Sequence, residues 1–146
     1  MSLFGALSVS ASGLAAQRSR AAAITENLAN SETTRTPEGG PYRRKDVVFQ
    51  PENQVSPFSA IFQAELGPQS TGVEVSEIVE ESRSPVMKYD PGHPDAGPDG
   101  YVALPNINPA EEMVDLMGAS RAYQANAAAM SAIKDMLSKS IDLLRL

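Results

Sequence analysis

A chain of 146 residues with a net charge of −6 has room for one ordinary domain or two small ones, and its acidity argues against a general nucleic-acid binder, which must neutralise phosphates. It has no Cys, which excludes disulfides and thiolate metal sites, and no run of 18 apolar residues, so no transmembrane helix is expected. Only 42% of its residues are hydrophobic and 5% aromatic, which leaves few bulky side chains from which to build a core.

Proline placement divides the chain. All eleven Pro lie from Pro37 to Pro109. Proline lacks an amide donor and clashes with the preceding turn, so it is excluded from helix interiors. The chain reads as a helix over 1–30, a joint over 31–46, a β-rich middle over 47–108 and a second helix over 109–146.

In the first helix Leu7, Leu14, Ala21 and Leu28 recur every seven residues, and Leu3 and Ile24 join them. Gly5, Gly13 and several Ser lower its helix propensity. Its surface is otherwise small, with Ala at 6, 11, 15, 16, 22, 23 and 29, which lets a neighbouring helix approach closely. Such a helix is marginal alone and depends on packing. The first basic residue is Arg18, and Ser8, Ser10 and Ser12 interrupt the apolar positions, so the start of the chain makes a poor secretory signal.

The amphipathic pattern dies between Glu26 and Lys45. Gly39-Gly40 followed by Arg43-Arg44-Lys45 suggests phosphate binding, but the spacing is not that of a P-loop. A turn followed by a basic surface strip is the better reading. Beyond it, Val47-Val48-Phe49, Phe58 to Ala64, Val73-Glu74-Val75 and Ile78-Val79 look like short strands, and Tyr89 to Asn108 like an extended, turn-rich segment. Asp90, His93, Asp95 and Asp99 offer metal-ligand chemistry. Their Pro and Gly neighbours form turns for backbone reasons alone, and the spacing fits neither an EF-hand nor H-E-x-x-H. Adjacent acids such as Glu80-Glu81 do not face each other, and no convincing catalytic set emerges.

The second helix has the stronger signals. Asn108 stands at the N-cap, Pro109 at the first helical position and Glu111 where it can reach back to the cap. Glu111, Glu112 and Asp115 suit the positive helix end. Leu116, Tyr123, Met130, Leu137 and Leu144 recur every seven residues, flanked by Met113, Ala127 and Ile141 and by Ala129, Met136 and Leu143; Ile133 belongs with them. A sustained seven-residue repeat favours a coiled-coil seam. The fold expected is α+β: terminal helices paired as an antiparallel coiled coil, with a small Pro/Gly-rich β-containing unit between them. Two helices alone leave apolar and Ala-rich surface uncovered, which marks a partner site.

Several stretches, in order, resemble the bacterial flagellar basal-body rod protein family. They are Ser12-Gly13-Leu14, Gln17-Arg18, Glu26-Asn27-Leu28-Ala29-Asn30, Thr33 to Lys45, Ser84 to Ala96, Gly100-Tyr101-Val102, Pro105 to Asn108, Glu111 to Asp115, Ser120 to Asn126 and Lys134-Asp135-Met136. The helix followed by N-[LI]-A-N-x-x-T is shared by rod and hook subunits. The T-P-E-G-G-P-Y-R-R extension is narrower and resembles proximal-rod members. The motif positions are Asn27, Ala29, Asn30, Thr33, Pro37, Gly39, Gly40, Tyr42, Arg43 and Arg44 at the joint, and Asn108, Glu111, Glu112, Arg121 and Asn126 in the second helix.

The resemblance implies a non-enzymatic subunit of the proximal rod, the drive shaft that carries torque from motor to hook and encloses the export channel. It implies partners in other copies of the chain, in other rod proteins and the rod base, and in the flagellar type III export apparatus. It implies no cofactor, metal, nucleic acid or small-molecule substrate, and a periplasm-spanning location reached without a cleaved signal peptide. Within it the joint is expected to work as follows. Asn27 and Asn30 end the helix in the left-handed conformation, Thr33, Thr34 and Thr36 satisfy free backbone groups, and Gly39-Gly40 turns the chain. Arg43, Arg44 and Lys45 then pair with a neighbour's acids. Three alternatives remain: another axial subunit of the family, a metal-dependent enzyme using the Asp90/His93 loop, and a membrane-surface protein using the first helix.

Overall fold

A computed structural model describes residues 3–52 and 71–144. Helix α1 runs Leu3–Ala29 and helix α2 runs Pro109–Leu144. Between them lie strands β1 (Lys45–Pro51), β2 (Val73–Glu80), β3 (Val86–Tyr89) and β4 (Tyr101–Leu104). The strands form two two-stranded sheets, β1 with β2 and β3 with β4. The architecture is therefore α+β. The expected strand over 58–64 falls outside the described residues.

Sequence chemistry accounts for most boundaries. Asn108 caps α2: its Oδ1 accepts from the Ala110 amide at 3.1 Å and its carbonyl from the Glu112 amide at 3.1 Å. Glu111, expected to reach back to the cap, is exposed, and the neighbouring Glu112 is buried. At 36 residues α2 is about 54 Å long. The two fragments read at 73–75 and 78–79 form one strand. Strands β3 and β4 were not legible. They pair antiparallel, Val86 with Leu104 and Tyr89 with Tyr101, across the Pro- and Gly-rich loop that had made the whole stretch look irregular.

The chain divides into two compact units, and both helices contribute to each. One unit gathers Met1–Ser19, Phe49–Ser76 and Ala119–Leu146. Its buried side chains include Ser10, Ala16, Ala119 and Ile133. Here α1 and α2 come close at Gly13, where an added Cβ would lie 3.1 Å from the Asn126 amide nitrogen. Ser12 Oγ accepts from the Val73 amide at 3.0 Å and so ties the start of β2 to α1.

The other unit gathers Arg20–Val48 and Glu77–Gly118. Its buried side chains include Ala23, Ile24, Asn27, Tyr42, Val47, Val102, Pro105 and Glu112, so polar groups share the interior with apolar ones. In the β3–β4 pair, Val102 turns inwards, 3% exposed, while Tyr89 and Tyr101 meet edge to face on the outside with ring centroids 5.3 Å apart.

Burial along the helices is centred beside the seven-residue rows. Leu7, Leu14, Ala21, Leu28, Leu116, Met130 and Leu137 are half-buried. Leu3, Met113, Tyr123 and Ile141 are exposed, and the Leu144 side chain lies outside the described residues. The most covered positions are Ala16, Ala23, Ile24 and Asn27 on α1, and Glu112, Ala119 and Ile133 on α2.

Candidate functional site: a buried polar joint

Helix α1 ends without any left-handed residue, since only Gly39, Gly40 and Gly100 have positive φ among the described residues. The expectation that Asn27 and Asn30 terminate the helix in that way is therefore corrected. Asn30 folds its own amide back onto the Glu26 carbonyl, Nδ2 to O at 2.9 Å, and its Oδ1 accepts from the Thr33 hydroxyl at 3.1 Å. Its backbone amide also bonds the Glu26 carbonyl, and that of Thr33 bonds the Asn30 carbonyl. One more turn of regular bonding with side-chain support suffices to end the helix.

Asn27 remains helical and is fully buried. Its amide grips the peptide of Lys45 at the start of β1. Nδ2 donates to the Lys45 carbonyl at 2.8 Å, and the Lys45 amide donates to Oδ1 at 2.8 Å. The Tyr42 hydroxyl donates to the same Oδ1 at 3.1 Å. Nδ2 also reaches Glu112 Oε2 on α2 at 3.2 Å. One side chain thus bonds to the joint, a strand and the other helix.

Glu112, 2% exposed, is the second centre of the network. Its Oε1 accepts from Arg44 Nε at 2.6 Å. The Arg44 guanidinium also lies 3.8 Å from Asp46 and 3.9 Å from Asp115. A buried carboxylate is tolerable only when paired and hydrogen-bonded, and here it is both. Burial works against the Arg44 charge, but the Glu112 hydrogen bond and the fields of Glu112, Asp46 and Glu81 outweigh it and hold the guanidinium above its usual pKa. Lys45 Nζ bonds Glu26 at 2.6 Å, and that bond raises the lysine pKa despite some loss of hydration. Burial first, then the charges of Glu26, Glu80 and Glu112, push the Tyr42 hydroxyl up to about 12.

The basic strip is therefore not a uniform surface patch. Arg44 and Lys45 bond Glu112 and Glu26 of the same chain. Arg43 is exposed. The order Asn27, Glu112, Arg44 was missed because the partners stand far apart in sequence, 85 residues in the case of Asn27 and Glu112.

Two turns share one bonding pattern, the first within the joint and the second between β3 and β4. In Thr36-Pro37-Glu38-Gly39-Gly40 the Gly39 amide bonds the Thr36 carbonyl and the Thr36 amide bonds the Gly40 carbonyl. In Gly97-Pro98-Asp99-Gly100-Tyr101 the Gly100 and Gly97 amides repeat that pattern. Gly39 has φ 93° and Gly100 has φ 71°, as a three-residue hairpin loop closed by a left-handed glycine requires. Two residues ahead of the first turn, the Thr34 hydroxyl donates to Asp95 Oδ2, two residues ahead of the second, at 2.7 Å. His93 Nδ1 accepts from the Asp95 amide at 3.1 Å, which is local turn chemistry. Among the described residues no group of three or more acids and His is placed to hold a metal ion. Of the remaining motif positions, Ala29, Pro37, Glu111 and Arg121 are exposed, and Asn126 is half-buried against Gly13.

Long helices at both ends, tied to a small β portion by a buried polar joint, define a helix-ended structural subunit. The model of the family described as flagellar basal body rod FlgEFG protein, C-terminal, matches residues 99–143. The flagellar basal-body rod protein FlgC of Bacillus subtilis is 43% identical over 98% of this chain and 99% of its own length. The FlgC protein of Borreliella burgdorferi is 41% identical over 99% of both chains, and that of Salmonella typhimurium 37% identical over 98% of both. The chain belongs to the flagellar basal-body rod protein FlgC family. It is a structural subunit of the basal-body rod.

Proposed function

We propose that the chain serves in the proximal rod as a torque-bearing, non-enzymatic subunit. Its terminal helices pair antiparallel as a coiled coil around the export channel. The β portion stands outside them, and the joint over 31–46 fixes one to the other. The observation that carries this reading is the Asn27–Lys45–Glu112–Arg44 network, which bonds α1, β1 and α2 together at the joint. Contacts between the helices in both units support the pairing: Gly13 against Asn126 in one, Asn27 to Glu112 in the other. Exposed Met113, Tyr123 and Ile141 on α2 remain for other copies of the chain and for other rod proteins. The subunit reaches the periplasm-spanning rod through the flagellar type III export apparatus, without a cleaved signal peptide, and needs no cofactor.

The test is Gly39→Val with Gly40→Val. Both glycines have positive φ and open space around them, so the change stiffens and distorts the turn without touching the network. Expression is expected to survive while rod assembly and swimming fail. Normal swimming would remove the joint from the mechanism.

A further inference from the structure

The two largest fully buried side chains among the described residues are Asn27 and Glu112, and both are polar. The apolar residues covered along the two helices are mostly small. The covered apolar face of α1 offers Ala16 and Ala23 beside Ile24, and that of α2 offers Ala119 and Ile133. Small apolar residues accept one another in many alignments. A seven-residue repeat also presents nearly the same pattern after a slip of one heptad, about 10 Å of axial movement.

Asn27 and Glu112 are not indifferent to such a slip. Moving α2 by one heptad in one direction brings Ala119 to the place of Glu112. The other direction brings residue 105, which precedes the start of α2 at Pro109. In either case Asn27 loses an acceptor, and Glu112 is drawn from the Arg44 guanidinium that offsets its burial. Lys45 is the first residue of β1, and Arg44 directly precedes it with its guanidinium beside Asp46 of the same strand, so the carboxylate cannot carry its partners along.

We infer that Asn27 and Glu112 set the register of the terminal helices and that Arg44 and Lys45 transmit this register to β1. Both act as positioning residues, and the inference rests on the helix pairing proposed above. Buried polar groups are known to fix coiled-coil alignment at some cost in stability. Here the same groups also bind the strand, so the joint closes in one alignment only.

The chain has no Cys, so spin labels can be placed at will. Ala22 on α1 and Met117 on α2 are exposed, and cysteines there can carry a label pair in the full-length protein. Pulsed electron-spin distance measurement is expected to give one narrow distance in the otherwise unaltered chain. The pair Asn27→Leu with Glu112→Leu is expected to add a second population, displaced by one heptad. Should that variant fail to fold, moving the carboxylate with Glu112→Ala and Ala119→Glu is expected to shift the whole distribution. An unchanged single distance in whichever of these folds would overturn the inference and leave the pairing standing. A broad distribution in the unaltered chain would overturn the pairing, and the inference with it.

Discussion

The side-chain amide of Asn27 holds the peptide of Lys45 from both sides, with its nitrogen and oxygen each 2.8 Å from the backbone group they bond. A helix side chain here does what a neighbouring strand would do for β1. Asn27→Ala leaves the Lys45 amide, the Lys45 carbonyl and the Tyr42 hydroxyl without this partner. At about 1 kcal/mol for each, a loss of roughly 3 kcal/mol is expected in urea unfolding of the full chain. Asn27→Asp should be no better near neutral pH, since the carboxylate cannot donate to Lys45 and adds a charge beside Glu112. A loss below about 1 kcal/mol for Asn27→Ala would mean that water replaces the amide.

The Arg44–Glu112 pair makes a separate prediction, because removing one partner differs from removing both. Arg44→Met strands a buried carboxylate and should cost about 3–5 kcal/mol. The double change Arg44→Met with Glu112→Met should recover much of that, since no uncompensated charge remains inside. A double-mutant cycle on unfolding free energies measures the coupling. Additive single and double effects would show that the pair contributes nothing as a pair.

The parts that were legible in the sequence are those governed by neighbours along the chain. Pro37 and Pro109 bracket the middle, and α2 begins where Asn108-Pro109 says it should. The Pro-Glu-Gly and Pro-Asp-Gly turns follow from backbone preference alone. The network was illegible for the opposite reason. Asn27 carries a strong local signal for a helix end, and a partner 85 residues away overrides it. Arg44 and Lys45 look like surface charge until Glu112 and Glu26 are seen beside them. Strands β3 and β4 have four residues each, too few for a periodic signal, and the loop between them dominates the composition.

The glycines separate backbone strain from packing. Gly39 has φ 93° and Gly118 sits inside α2, and an added Cβ meets nothing within 4 Å at either. Contacts therefore cannot distinguish them, but conformation does. Gly39→Ala should destabilise by roughly 1–2 kcal/mol through the left-handed backbone. Gly118→Ala should stabilise by up to about 1 kcal/mol through helix propensity. Gly100→Ala combines both penalties, since its Cβ would stand 2.8 Å from the Tyr89 ring, and it should cost more than Gly39→Ala. Thermal unfolding of the three variants ranks them, and a stabilising Gly39→Ala would contradict the turn.

Tyr42 gives the joint a signature at high pH. Its hydroxyl is held at about 12 against an ordinary value of 10.0, chiefly by burial. The folded state keeps this proton longer than the unfolded state does. The associated stability is therefore fully present below pH 10, declines as the unfolded chain ionises, and is lost by about pH 12. The amount at stake is on the order of 2 kcal/mol. Tyr42→Phe loses the bond to Asn27 and should be less stable near neutral pH, yet its stability should fall less steeply between pH 10 and 12. The tyrosinate absorbance missing from Tyr42→Phe, obtained by difference, should appear late in an alkaline titration. A difference signal centred at the ordinary tyrosine value would place Tyr42 in water and outside the network.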